Sequence, residues 1–98
     1  MLLSQVNTID NNGTCSVGIN YFNNNHGGAE TIRLPASAGL TAGESIRIKA
    51  AGDCSATNKV TVLIAGSQTI DGENAIVLES PNAAVELVYV AADLFKIF

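Results

Sequence analysis

The stretch TIRLPASAGLTAGESIRIK, residues 31–49, contains two short apolar segments on either side of a loop of small residues. In both segments the apolar residues recur at every second position, which is the period of a β-strand with one buried face. The alanine-rich loop, residues 35–43, has room for a single helical turn, although Gly39 and Gly43 weaken any longer helix. The stretch therefore predicts a strand, a crossing loop and a second strand.

The same two-residue period continues along most of the chain. It is found in residues 15–21, 31–34, 46–49, 60–64, 75–78, 85–89 and 95–97. In the first of these segments we expect the side chains on the buried face to be Cys15, Val17, Ile19 and Tyr21. Residues that favour turns lie between the segments, for example at positions 11–13, 71–72 and 81–82. The pattern predicts an all-β fold, a small antiparallel β-sandwich or barrel of the jelly-roll kind with seven or eight short strands.

The length of the chain limits its organisation. With 98 residues and 47% hydrophobic content it can bury a core but has no room for two ordinary domains, so residues 1–98 are predicted to form one. A domain of this size buries only about two-thirds of its unfolded surface, and association with further copies would stabilise it. Val88 and Val90 alternate with Leu87 and Tyr89, so if one pair faces the core the other needs cover. We therefore expect a homotrimer in which Val88 and Val90 contact a neighbouring subunit.

Charge and hydropathy exclude several classes of partner. Five Lys and Arg residues stand against nine Asp and Glu residues, which gives a net charge of −4 without a basic run. A nucleic acid or an anionic membrane surface is therefore not predicted to be a partner. The N-terminal residues 1–10 lack the basic start of a secretory signal, and no apolar run approaches the roughly 18 residues that span a membrane.

Neither a metal nor a cofactor is predicted. Cys15 and Cys54 are far apart in sequence and form no CxxC motif, which leaves two alternatives open, buried free thiols or a disulfide. The sequence Asp-Gly-Glu-Asn at 71–74 resembles a fragment of a calcium loop but lacks the six to eight oxygen ligands of a complete site. We interpret it as a turn.

No catalytic set is recognisable either. His26 is the only histidine, and it lies in the loop NNNHGG, residues 23–28, without a neighbouring residue to orient it as a general base. The glycine-containing stretch GLTAGES, residues 39–45, has neither the spacing nor the lysine of a phosphate-binding loop. The sequence does not predict an enzyme.

A series of motifs resembles a β-rich module that is common in tailed-phage virion proteins, in fibres, tailspikes and head-decorating proteins. The motifs are, in order, TIRLP, AGESIRIK, NKVTVLIAGSQTIDG, VELVY and a terminal aromatic strand. They cover residues 30–98, and Phe95 and Phe98 occupy the strand that often carries a tryptophan in such modules. In the module the Leu-Pro step ends one strand, and the small-residue loop crosses the end of the sheet. Leu40, the one large apolar residue of that loop, is predicted either to plug the sheet end or to contact another subunit.

The resemblance implies a function in the virion. The first expectation is a decoration or cement protein that binds the major capsid protein on the outside of a phage head, after synthesis in the host cytoplasm. The alternative is a tail-fibre or receptor-binding component that recognises a host glycan or protein. The chain starts at Met1 and has no long shaft, which favours the first. The shortage of aromatic residues weakens the glycan alternative without excluding it.

The N-terminal segment, residues 1–28, is the part that the module leaves uncovered, and we expect the capsid contact there. Its apolar residues could pair with an exposed strand edge, and its asparagines would suit a wet, uncharged interface. The candidate contact residues are Leu2, Leu3, Val6, Ile9, Asn23, Asn24 and Asn25. The opposing interpretation is that residues 1–9 form the first strand of the protein's own sheet.

Overall fold

The strands that the sequence predicts are present in the computed structural model, which describes residues 6–22, 28–64, 66 and 68–98. These residues form β-strands and one 3-10 turn, Ser37–Gly39, and they contain no α-helix. The nine strands among them are β1 (Val6–Ile9), β2 (Gly18–Phe22), β3 (Glu30–Arg33), β4 (Ser45–Ala50), β5 (Val60–Leu63), β6 (Thr69–Ile70), β7 (Ala75–Leu78), β8 (Ala84–Ala91) and β9 (Leu94–Ile97). The all-β prediction is confirmed.

The strands form two sheets of mixed direction. The larger sheet has the order β1-β2-β4-β8-β9-β6, and the smaller has the order β3-β5-β7. Strands β1, β2 and β4 run parallel, as do β3 and β5, whereas β8 is antiparallel to β4 and β7 to β5. The expectation of antiparallel pairing throughout is therefore wrong, and the described residues contain nine strands rather than seven or eight.

The parallel pairs arise because the chain moves between the two sheets at each step from β1 to β5. After β1 the chain forms a single bridge from Thr14 to Arg33 in the smaller sheet and then returns to the larger sheet as β2. Each new strand thus lies beside the strand of the previous turn and enters from the same end, so the two are parallel. We call β1–β5 the coiled half. The remaining strands, β6–β9, form the returning half, in which β7 and β8 run back along β5 and β4.

The core lies between the two sheets. In β4 the side chains of Ile46, Ile48 and Ala50 are buried and those of Arg47 and Lys49 are exposed, as the alternation predicts. The molecule measures 36 × 35 × 21 Å, and its shortest dimension fits two sheets stacked about 10 Å apart with their side chains. The largest fully buried side chains are Phe22, Phe95, Ile32, Ile46, Ile48, Ile70 and Leu87.

Asn20 is a polar residue at a core position of β2. Its Oδ1 accepts a hydrogen bond from the Ser16 N–H at 2.9 Å, and its Nδ2 donates to the Ser16 carbonyl at 2.9 Å and to the Arg47 carbonyl at 3.1 Å. The side chain is fully buried. Since buried polar groups without partners are costly, these bonds allow Asn20 to hold the loop before β2 against β4, the next turn of the coil.

The predicted turns are confirmed at several positions. Asn12 has φ 68°, and Asp71 and Gly72 have φ 49° and 85°, which are left-handed values that Asn, Asp and Gly tolerate. The N–H of Ile70 donates to the Glu73 carbonyl and the N–H of Glu73 to the Ile70 carbonyl, both at 2.8 Å. This pattern is typical of a two-residue type I′ turn. The 3-10 turn Ser37–Gly39 is the single helical turn expected in the small-residue loop.

Candidate functional site

The outer face of the six-stranded sheet, the face opposite the core, carries apolar side chains. Strand register places Val6 of β1, Ile19 of β2, Arg47 of β4 and Glu86 of β8 side by side. Phe98 continues this line beyond β9, because its N–H donates to the Glu86 carbonyl at 2.9 Å. We call these five residues the cross-strand row. A sheet face that is exposed to solvent normally carries polar side chains. The apolar side chains on this face therefore need an explanation.

The two ends of the cross-strand row are apolar and its centre is charged. Val6 is 58% exposed at one end and Phe98 is 75% exposed at the other. Between them Arg47 Nε lies 3.4 Å from Glu86 Oε2, and both side chains remain partly open to solvent. A surface ion pair of this kind stabilises a fold by about 0–1 kcal/mol. The pair is therefore expected to contribute little to the stability of the sheet.

A groove of about 410 Å³ lies over the centre of the row. Its lining includes apolar groups from Ile19, Ala84 and Phe98 and charged groups from Arg47 and Lys49. The Lys49 Nζ also donates to the Asn82 carbonyl at 2.6 Å, which fixes that ammonium group at one end. The groove is therefore lined by both apolar and charged groups.

The residues predicted to contact another subunit, Val88, Val90 and Leu40, differ in their burial and in what they pack against. Val88 is half-buried on the outer face and Val90 is half-buried at a β-bulge. Both alternate with the buried Leu87 and Tyr89, as the sequence predicts. Leu40 is partly buried and packs against the core. That position favours the interpretation in which Leu40 plugs the sheet end.

The predicted capsid contacts are only partly within the described residues. Leu2, Leu3, Asn23, Asn24 and Asn25 lie outside them, as does His26. Val6 is exposed, whereas Ile9 is only 5% exposed.

The prediction that Ile9 forms a surface contact is therefore wrong. Ile9 pairs with Phe22, and both side chains belong to the core. The opposing interpretation, in which the N-terminal segment begins the protein's own sheet, is confirmed for Val6–Ile9.

In β2 the sequence pattern predicts the wrong face. The alternation predicts Ile19 and Tyr21 in the core, but they point outward, while Asn20 and Phe22 point inward. Cys15 is buried and Val17 is 41% exposed, so the phase of the alternation changes between Cys15 and Gly18, which has φ 104°. A glycine inside an alternating run is the sequence signal that could have indicated this change. The shift adds Ile19 and Tyr21 to the outer face.

Both cysteines are free and buried, which confirms the free-thiol alternative. Burial raises the pKa of the Cys15 thiol from 9.0 to about 12. Burial also raises the pKa of Cys54, whose Sγ–H donates to the Leu78 carbonyl at 3.2 Å. Since the thiolate is the reactive form, neither residue has the properties of a nucleophile at neutral pH.

Asp71 acts in the turn as the sequence interpretation predicts. Its carboxylate accepts a hydrogen bond from the Ile97 N–H at 3.4 Å and lies 3.9 Å from Lys96 Nζ. No group of three His, Cys, Asp or Glu side chains placed to hold a metal ion occurs within the described ranges. In the same part of the chain there is no helix long and apolar enough to cross a membrane.

The chain was also compared with known proteins. No protein-family model matches it, and no curated protein has a matching sequence.

Proposed function

We propose that this chain is a structural virion protein that decorates the outside of a bacteriophage head, where it binds the major capsid protein and stabilises the shell. The proposal rests on the resemblance of residues 30–98 to a phage virion module. The observation that carries it is the set of exposed apolar side chains on the outer face of the six-stranded sheet, which suits a chain that functions within an assembly. Exposed Val6, Tyr21 and Phe98 lie there beside half-buried Ile19, on a surface that association would cover.

The arrangement of polar groups also supports a structural role. The charged side chains on the outer face, Arg47, Lys49 and Glu86, are engaged with each other or with a backbone carbonyl. Catalysis by acid and base needs two titratable groups placed around a reacting atom. The paired charges of this face are better suited to specifying the orientation of a partner than to reacting with one.

In this proposal the chain assembles as a homotrimer. Val88 lies on the outer face of the six-stranded sheet and Val90 is half-buried at the bulge that follows in β8; a neighbouring subunit would complete the burial of both. Burial of such half-exposed apolar groups contributes roughly 25 cal/mol per Å², from which the entropic cost of association is subtracted.

The direct test mixes the purified chain with DNA-free heads built from the major capsid protein encoded in the same genome. Co-sedimentation should show saturable binding, and the decorated heads should resist heat better than bare ones. If the chain binds host cells and not heads, the receptor-binding alternative replaces the proposal. The groove over Arg47 and Lys49 is the feature that favours this second candidate.

The location of the capsid contact has its own test. Deleting residues 1–5 removes Leu2 and Leu3 but leaves β1 intact, so we expect a folded protein with weakened head binding. Circular dichroism checks the fold, and co-sedimentation measures the affinity. Substitution of Thr41, exposed in the small-residue loop, by alanine serves as the control and should leave binding unchanged. Undiminished binding by the truncated chain would move the contact away from this segment.

A further inference from the structure

We propose that neighbouring subunits join edge to edge across the outer face, with Val6 and Ile19 of one copy packed against Phe98 of the next. This inference rests on the homotrimer of the proposed function and names the contact that closes it. The partner that packs against each apolar edge is a second copy of this chain. The pattern of exposure along the cross-strand row leads to this assignment.

The exposed apolar groups of the row lie at opposite edges of the sheet. Val6 belongs to β1, the first strand of the sheet order, and Phe98 follows β9 at the other side. Strand β6 pairs with β9 only at Leu94 and Phe95, so at the level of Phe98 the sheet has no further paired strand among the described residues. Each edge therefore ends in an exposed apolar side chain.

The two edges cannot cover one another within a single chain. Four strand spacings of about 4.8 Å separate β1 from β9, which places their side chains roughly 19 Å apart. Both edges expose an apolar side chain to water. Each side chain is best buried when its edge meets the opposite edge of another copy. Such a head-to-tail, or heterologous, contact forms a closed ring when the rotations between successive copies add up to a full turn.

The charged centre of the row favours three copies over two. If three sheets face a common axis, their edges meet at three corners and the centre of each cross-strand row faces a wider, wet interior. Arg47 and Glu86, which are 62% and 35% exposed as side chains, can then stay hydrated. A two-fold pair stacked face to face would desolvate these charges and Lys49, at a cost that their attraction does not reliably offset.

The experiment is a cross-linking test with the double variant Val6→Cys plus Phe98→Cys, oxidised at micromolar concentration. On a non-reducing denaturing gel we expect covalent dimers and trimers and no larger species. Cys15 and Cys54 are buried, so the unmodified chain should remain uncross-linked under the same conditions. The matched control is Val6→Cys plus Val77→Cys, since Val77 is 46% exposed but lies on the smaller sheet. This control should give no trimer.

The other outcomes overturn the inference in distinguishable ways. A ladder that stops at the dimer indicates a two-fold contact, and one that continues past the trimer indicates an open chain. If the unmodified chain sediments as a trimer but the double variant gives no cross-link, the edge contact is wrong and the proposed trimer stands. If the unmodified chain is a monomer, both fail, while the head-binding test still decides the proposed decoration role.

A second pair of variants covers the case in which the double variant does not fold. Val6→Lys and Phe98→Lys each place a charge at a proposed contact, and each should shift sedimentation toward the monomer by at least tenfold in association constant. Val77→Lys should leave the association unchanged. Equal behaviour of all three variants would contradict the inference.

Discussion

The coiled half and the returning half share one core, but the strand pairing of each is determined by local sequence to a different degree. In the returning half a two-residue turn, Asp71-Gly72, links β6 to β7, and a short turn at Asp93 links β8 to β9. In the coiled half the paired strands come from successive turns, as when Gly18 pairs with Ile46. Short turns make pairing partly a local property, whereas parallel pairing depends on the path of the chain between the sheets. The comparison predicts that both halves are needed for a stable fold, and that they form at different stages of folding.

The largest expected effects come from one buried phenylalanine in each half. Phe22→Ala and Phe95→Ala should each reduce the free energy of unfolding by about 3–5 kcal/mol, because both side chains are fully buried in one core. Chemical denaturation measures both values. If one variant loses only the structure of its own half and shows two transitions, the halves are separate units and the shared core is wrong.

Folding kinetics should separate these same two positions. With the milder variants Phe22→Leu and Phe95→Leu, we expect the change at Phe95 to slow folding more, since its contact with Tyr89 is local, with ring centroids 5.4 Å apart. The change at Phe22 should mainly accelerate unfolding. Stopped-flow measurements over a range of denaturant give both rates. The reverse order would mean that the coiled half forms first.

Asn20→Ala should have the next largest effect. The variant removes three close hydrogen bonds to the Ser16 and Arg47 backbone and leaves buried groups without partners, at a cost of about 2–3 kcal/mol. Asn11→Ala is the matched control, since the Asn11 Oδ1 accepts one hydrogen bond from the Thr31 N–H at an exposed site. We expect the control to cost well under half as much. Equal losses would show that Asn20 does not join successive turns of the coil.

The turn of the returning half should respond to Gly72→Ala. Gly72 has φ 85°, and an alanine there is expected to cost about 1 kcal/mol or more. Gly39→Ala provides the comparison, because Gly39 has no left-handed φ and no atom within 4 Å of an added Cβ. Thermal denaturation should show a lower Tm for the first variant only. A neutral Gly72→Ala would imply that this turn does not set the β6–β7 connection.

The effect of Cys15 is absent at neutral pH and confined to alkaline pH. Its pKa is higher in the folded state, about 12 against 9.0, so the folded protein retains a proton that the unfolded chain loses. Stability should therefore be unaffected below about pH 9 and fall between pH 9 and 12, by at most about 1.4 kcal/mol per pH unit. Denaturation at several pH values tests this, and Cys15→Ala should reduce the slope. A slope unchanged in that variant would assign the alkaline loss to other groups.

Particular residues show how far the sequence could predict this structure. The alternation at Ile46 and Ile48 and the turns at Asn12 and Asp71 depend on neighbouring residues, and the prediction was right there. The phase change before β2 was missed because it depends on the backbone at Gly18.

The candidate site shows the same limit. The half-buried Val88 and Val90 alternate with the buried Leu87 and Tyr89, as the sequence predicts. The cross-strand row was not predicted, because strand order and register bring Val6, Ile19 and Phe98 into one line, and neither is encoded locally.

The central claim is that the outer face of the six-stranded sheet joins copies of the chain, and sedimentation velocity at micromolar concentration tests it most directly. The unmodified 10.1 kDa chain should sediment as a single species of about 30 kDa, the mass of three chains. Phe98→Lys should shift it toward the monomer. A stable monomer, or a trimer indifferent to Phe98→Lys, would contradict the claim.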